Sequence, residues 1–290
     1  MKLGFIGFGE AAFNMATGLK AEGFSDIFAY DVMEKDLAMG KVIKNNAKES
    51  GVTLVPNAIQ LVESVDIVIS AVPSSYAFDV CYEIKDHLRP NQIYADVSAS
   101  TAKTKEKIWN SIEDKGVLFV DAAMMGSLPK DKHKVPILAS GNGAKKFEEL
   151  MTPYNMQIKV VGEKAGAASA IKLIRSIFMK GISTLMIEML QAADAYGVTE
   201  EVVASISKSM DGIPFTSHLD RLVVGSAIHC KRRAGELKGS IEMLKEANLD
   251  SFMTESSMKK LESLEKYEFV KRFVDKKPES WKEIIEITRG

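Results

Sequence analysis

Cysteine is scarce in this chain: Cys81 and Cys230 are the only two. Two thiols are too few for a disulfide framework, and they form no metal-ligand spacing. That usage suits a reducing compartment, and a cytoplasmic location is expected. Net charge is scarce too, since 38 Lys and Arg against 39 Asp and Glu leave −1. Such a balance offers no electrostatic case for nucleic acid or an anionic membrane surface as partner. No ligand cluster is visible, so no metal is expected. There is no internal repeat and no low-complexity linker. The opening MKLGFIGFGE shows no signal-peptide cleavage pattern. One apolar stretch is long enough to raise the question of a membrane span, but charges interrupt it too often.

That stretch, residues 166–196, organises the rest of the chain. It has no proline, is rich in Ala, Leu, Ile and Met, and reads as one helix. At ~1.5 Å per residue it would be about 45 Å long. A helix apolar on nearly every side is expected to be buried on nearly every side. Its apolar surface exceeds what the C-terminal part of one chain can easily cover, so a homodimer is expected. Lys172, Arg175, Ser176, Met179 and Ser183 share one face. Spacing alone leaves two readings of that face: a solvated or carboxylate-paired edge, or the wall of an active site.

At 290 residues and 46% apolar composition, two domains are expected. Strand-like runs (2–6, 27–30, 52–55, 65–72, 92–96, 117–123, 135–140, 158–161) alternate with helical patterns up to about residue 162. The run 65–72 is continuously apolar, as in a strand buried on both faces. Beyond Gly162 every segment reads as helix. The expected class is α/β: an N-terminal Rossmann doubly wound sheet (residues 1–162) followed by an all-α C-terminal domain (163–290) that begins with the long helix.

The first strand runs into Gly7-Phe8-Gly9-Glu10-Ala11-Ala12, a G-x-G-x-x-A turn before a helix. Gly7 permits the turn, Gly9 lets backbone approach a pyrophosphate, and the small Ala12 lets helix and strand pack. The helix N-terminus would face the phosphates. The second strand ends at Asp31, 22 residues after Gly9 and near the usual ~20. Asp31 would bond a ribose 2′-OH and repel a 2′-phosphate. No arginine follows it closely, so NAD is expected rather than NADP. Val72 and Pro73 end the fourth strand, where ligands of such sheets bind.

Asp96-Val97-Ser98-Ala99-Ser100-Thr101 follows another strand end. Thr101 suits the N-cap of the next helix, and Ser98 lies too far upstream for that. His87 and His218 read as ordinary helix residues. His133, between Pro129 and Pro136, and His229, before Lys231-Arg232-Arg233, are placed to reach a site. Cys230 reads as a small buried apolar residue.

The loop GFGEAAFNMATGL, the acid of AYDV, and the segments DVSAST, DAAMMGS and GAASAIKLIRS come in a set order. That order resembles the β-hydroxyacid dehydrogenase superfamily, which includes 3-hydroxyisobutyrate and 6-phosphogluconate dehydrogenases. DAAMMGSLP, HKVPILASG and KLIRSIFMKG are most similar to a little-characterised 6-phosphogluconate dehydrogenase-like branch. The resemblance implies a cleft between the two domains, Lys172 as catalytic lysine and Ser98 as the serine of the substrate motif. Met124, Met125, Gly126 and Ser127 match a third motif, whose methionines imply a more apolar pocket. Arg175 stands where the family usually has asparagine. The lysine of a late family motif is replaced by Gly235, and Arg232, one turn earlier, could supply the cation.

The implied chemistry is hydride transfer between NAD and a small, anionic hydroxy acid or its aldehyde or keto form. Lys172 would be the general acid and base. Burial and the like charge of Arg175 would lower its proton affinity. The alternatives are imine reduction on the same scaffold and a cofactor-binding protein without turnover.

Overall fold

The computed structural model describes residues 1–289. The chain divides into two units, Met1–Ile177 and Phe178–Gly290. In the first, β1 (Lys2–Ile6), β2 (Asp26–Tyr30), β3 (Thr53–Leu54), β4 (Ile67–Ser70), β5 (Ile93–Asp96), β6 (Leu118–Met124), β7 (Ile137–Ser140) and β8 (Ile158–Gly162) form one sheet. Its order is β3-β2-β1-β4-β5-β6-β7-β8. The first six strands are parallel, β7 runs antiparallel to β6, and β8 is parallel to β7. Helices α1 (Glu10–Ala21), α2 (Met39–Ser50), α3 (Ala58–Ser64), α4 (Ala77–Ile84), α5 (Ala102–Asn110), α6 (Leu128–Asp131) and α7 (Ala144–Met151) connect the strands.

The two-residue period of the strands explains why both faces need helices. Leu3, Phe5, Ile67 and Ile69 join one core with Met15, Leu19 and Phe147. Ile6 and Val68, their neighbours in sequence, join the other with Tyr94, Leu61, Cys81 and Ile108. All four residues of β4 and of β5 are buried, as continuous apolar runs in parallel sheets require. The helix after β2 does not follow directly on the strand. A 3-10 turn takes Val32–Lys35, and the Asp36 carboxylate accepts from the N–H groups of Ala38 and Met39 at 2.9 and 2.8 Å. That bonding holds the chain out of helix until Met39.

The long helix is present as α8 (Ala167–Ala195, 29 residues). It starts in the first unit and continues into the second. Its expected burial does not hold within one chain. Only Ala168, Ser169, Glu188 and Ala193 are buried along it, and Ile174 and Ile177 are 66% and 74% exposed. One chain supplies neighbours to only part of the helix circumference. Among the described residues no helix is long and apolar enough to cross a membrane.

The second unit adds α9 (Thr199–Met210), α10 (Phe215–Ile228), α11 (Cys230–Glu246), α12 (Phe252–Glu262), α13 (Phe269–Arg272) and α14 (Trp281–Thr288). Ala227, Phe269 and Ile284 centre its core. The buried Glu188 accepts from the backbone N–H groups of Met253 and Thr254, both at 2.8 Å. A carboxylate there satisfies the orphan donors of the first turn of α12. Cys230 is partly exposed rather than buried, because it opens α11.

Candidate functional site

β1 ends where Gly7 turns at φ +84, a conformation side chains rarely adopt. A Cβ there would also lie 2.9 Å from the Ala71 carbonyl oxygen, so the turn and the approach of β4 both demand glycine. The next N–H, of Phe8, donates to Asp31 Oδ2 at 2.7 Å, and the Met33 N–H donates to Asp31 Oδ1 at 2.8 Å. Asp31 therefore ties the glycine loop to the end of β2. Gly9 caps α1, and nothing lies within 4 Å of where its Cβ would be. That open space borders the free N–H groups of the first turn of α1, the ordinary setting for a phosphate.

Gly7, Gly9, Glu10, Ala11, Asp31, Val72 and Pro73 all line a pocket of about 750 Å³. It lies at the carboxyl ends of β1 and β4, where the strand order reverses. Tyr76, Val80, Met33 and Met39 add apolar wall. Two residues of the loop stand behind it. Phe8 and Ala12 are fully buried in the sheet core, because the turn directs Phe8 inward and the small Ala12 seats α1 on the strands. Ser98 is not part of this wall either; it follows β5.

Ser98 belongs to a buried polar cluster. Its N–H and hydroxyl donate to Asp96 at 2.9 and 3.1 Å, and its hydroxyl lies 2.6 Å from that of Ser100. Thr101 caps α5, accepting from the Thr104 N–H at 3.2 Å. Lys105 of α5 reaches under the loop and is 0% exposed. Its Nζ stands 3.0 Å from Asp96 and 3.5 Å from Asp121. Asp121 in turn accepts from the N–H and hydroxyl of Ser169 at 2.8 and 2.6 Å. Ser140 accepts from the Ala168 N–H at 3.0 Å. The first turn of α8 is thus held by β6 and β7.

Lys172 stands one turn further on and is half-buried. Burial pushes its ammonium below the ordinary lysine range, the charge of Lys105 adds to that, and Asp121 opposes it. The like charge is Lys105, not the expected Arg175, which is exposed. Ser176 is half-buried, as is Met125, whereas Gly126 is exposed. In the second unit Arg232 is exposed and pairs with Glu236 on the same helix; His229 is exposed as well.

His133 does not join these groups. It is 3% exposed and packs on α1, where a Cβ on Gly18 would lie 1.9 Å from its Nδ1. The residue 125–136 segment lies along the C-terminal half of α1 and carries the imidazole there, with Glu22 3.7 Å from Nε2. Burial pushes its proton affinity down, against the pull of Glu22.

Sequence reasoning missed Lys105, Asp121, Ser140 and Ser169. A signal existed: Lys105, Ile108 and Ile112 fall at i, i+3 and i+7, which sets one cation on an apolar face. Asp121 is likewise the lone acid in the apolar run LFVDAAM.

Strand order, glycine turn, open Gly9 cradle and acid at the end of β2 together define a dinucleotide-binding Rossmann domain. Residues 2–162 match the family model of the NAD binding domain of 6-phosphogluconate dehydrogenase. Residues 193–264 match a domain of unknown function, DUF1932. An uncharacterised 28.5 kDa protein in the 7S RNA 5′ region of Methanothermus fervidus is 32% identical over 239 residues, 82% of this chain and 88% of that one. Mitochondrial 3-hydroxyisobutyrate dehydrogenase of Drosophila melanogaster is 25% identical over 231 residues, 77% of this chain and 68% of that one. A solved protein of unknown function, described as structurally similar to 3-hydroxyacid dehydrogenases, is 31% identical with TM-score 0.64, covering 92% of this chain and 97% of that one. An imine reductase of Myxococcus stipitatus shares the fold at TM-score 0.73 and 15% identity, covering 91% of this chain and 94% of that one. The chain belongs to the β-hydroxyacid dehydrogenase superfamily, with the NAD binding domain of 6-phosphogluconate dehydrogenase.

Proposed function

We propose that this protein is an NAD-preferring dehydrogenase or reductase acting on a small anionic hydroxy acid or its aldehyde or keto form, with Lys172 as general acid and base. The carrying observation is the half-buried Lys172, one turn beyond a helix start anchored by Asp121, in surroundings that lower its proton affinity. A lysine at its ordinary pKa of ~10.4 is a poor base at neutral pH, and burial moves Lys172 in the direction that a base needs.

Gly7, Gly9 and the start of α1 would hold the pyrophosphate, and Asp31 the adenosine ribose. A bound nicotinamide supplies hydride transfer. The neutral Lys172 amine would take the hydroxyl proton in oxidation, and its ammonium would give one back in reduction. Oxidation should therefore rise with pH and reduction fall with pH, the crossing lying below the ordinary lysine range. Ser98 would hold a substrate oxygen near Lys172. Arg175 or Arg232 is proposed to bind the substrate anion, since guanidinium suits a carboxylate bidentately. The exposed apolar residues of α8 support a homodimer that covers them.

The test is a panel of hydroxy acids, aldehydes and cyclic imines followed by NADH absorbance, in the native protein and in Lys172→Ala. Loss of kcat by roughly 10²–10⁴ is expected, and Arg175→Met or Arg232→Met should raise KM. Near-normal turnover by Lys172→Ala defeats the reading. Turnover of imines alone would move the assignment to an imine reductase.

A further inference from the structure

The dinucleotide pocket uses the ends of β1 and β4, and a second, buried polar cluster centres on β5 and β6, beside β4, where Asp96 pairs with Ser70. Asp96 and Asp121 stand side by side in the register of those two strands. Two carboxylates so placed, away from water, repel each other. α5 supplies the cation between them, with Lys105 Nζ 3.0 Å from Asp96 Oδ2 and 3.5 Å from Asp121 Oδ1. The same ammonium donates to the carbonyl oxygens of Asp96 and Ser98 at 2.9 and 3.0 Å. One nitrogen is thus fastened to two strands and to the loop that carries Ser98.

Asp121 passes the constraint to α8 through Ser169, at 2.8 Å to its N–H and 2.6 Å to its hydroxyl. Lys172 lies three residues after Ser169, on the same helix face. Stability alone is a weak reason for this arrangement. Desolvation offsets most of a buried pair's attraction, and apolar residues of similar volume often fold as well. A cation kept here calls for a second role.

We propose that Lys105 is a positioning residue: it fastens the Ser98 segment and the start of α8 to one point, and so sets the place and the charge surroundings of Lys172. The proposal rests on Lys172 being the proton-transfer group. The charged groups acting on Lys172 are Lys105 from α5 and Asp121 from β6. Asp96 of β5 acts through Lys105, and Arg175 on α8 is exposed. Removing Lys105 leaves Asp121 unopposed, so Lys172 should hold its proton more tightly.

The experiment is trace labelling of the full-length protein with acetic anhydride over a pH series, read by peptide mass spectrometry. It reports the pH midpoint at which Lys172 becomes nucleophilic and needs no substrate. In the native protein that midpoint should lie below that of exposed lysines, and equality overturns the proposal. In Lys105→Met it should rise by roughly one pH unit or more, the scale of a neighbouring charge. An unmoved midpoint in folded Lys105→Met also overturns it, because a merely structural pair would lower the melting temperature and leave Lys172 titrating as before. Should Lys105→Met fail to fold, Lys105→Met/Asp96→Asn removes one charge of each sign and is read the same way. Failure of the Lys172 reading would show elsewhere, as normal turnover by Lys172→Ala, and would leave the labelling result standing.

Discussion

Asp121→Asn is the near-isosteric change that the buried network should tolerate least. Asp121 Oδ2 accepts from the Ser169 N–H at 2.8 Å and from the Ser140 hydroxyl at 3.3 Å. Oδ1 accepts from the Ser169 hydroxyl at 2.6 Å and faces Lys105 Nζ at 3.5 Å. An asparagine keeps one acceptor and brings an NH2 group. Placed at Oδ1 the NH2 meets an ammonium, and placed at Oδ2 it meets a backbone N–H. Either way a charge-assisted bond worth ~1.5–3 kcal/mol is lost and a donor faces a donor. Breaking a buried pair costs roughly 3–5 kcal/mol, a figure that already contains the lost bond. The expected loss is therefore about 3–5 kcal/mol, against a usual total of ~5–15. For a unit the size of Met1–Ile177, which carries Asp121, that is a fall in Tm of roughly 6–20 °C. Urea unfolding followed by far-UV circular dichroism measures it, with Asp26→Asn, an exposed acid at the start of β2, expected within ~0.5 kcal/mol of the native protein. A loss below about 1 kcal/mol for Asp121→Asn would show that the network does not hold the start of α8.

The cofactor loop is tested by fluorescence titration with NADH and NADPH. Gly9→Ala meets no atom within 4 Å, so its melting temperature should hold while NADH affinity falls about tenfold or more, the effect of a methyl in the pyrophosphate space. NADH should bind more tightly than NADPH, and Asp31→Ala should narrow the gap; tighter NADPH binding by the native protein refutes the ribose role of Asp31. His133 carries a pH dependence of stability. Its folded proton affinity is lowered chiefly by burial, so the neutral form is favoured in the fold. The associated stability is present above the unfolded value near ~6.5 and is lost as pH falls through the lower folded value. Thermal melts over that range should show a flatter acid limb for His133→Asn, and equal limbs would remove His133 as the cause. Light scattering at micromolar concentration should give a dimer mass, and a monomer alone would defeat the homodimer.

Much of the first unit was readable because its signals are local. The apolar runs ending in Gly7, Asp31 and Asp96 mark strand ends by composition alone, and Gly7-Phe8-Gly9 sits between a strand and a helix whichever way the sheet is assembled. Thr101 announced its cap for the same reason: an N-cap needs only its own next three residues. The long helix was legible from its lack of proline and its richness in Ala, Leu, Ile and Met, but its burial was not, because burial depends on what else is near.

What the sequence determined by itself is therefore the alternation of strands and helices, the glycine turn with its acid, and the existence of α8. Local patterning is enough for these, since hydrogen bonds within a turn or helix close over a few residues. Only the tertiary structure decided which distant groups share a site. Asp96 and Asp121 became neighbours through the pairing of β5 with β6, and Lys105 and Ser169 met there from helices 64 residues apart. His133 was drawn to Gly18 instead, because a missing Cβ on α1 left room for a ring. Ion pairs and close approaches of that kind act through space over a few ångströms, and separation along the chain carries almost no information about such distances.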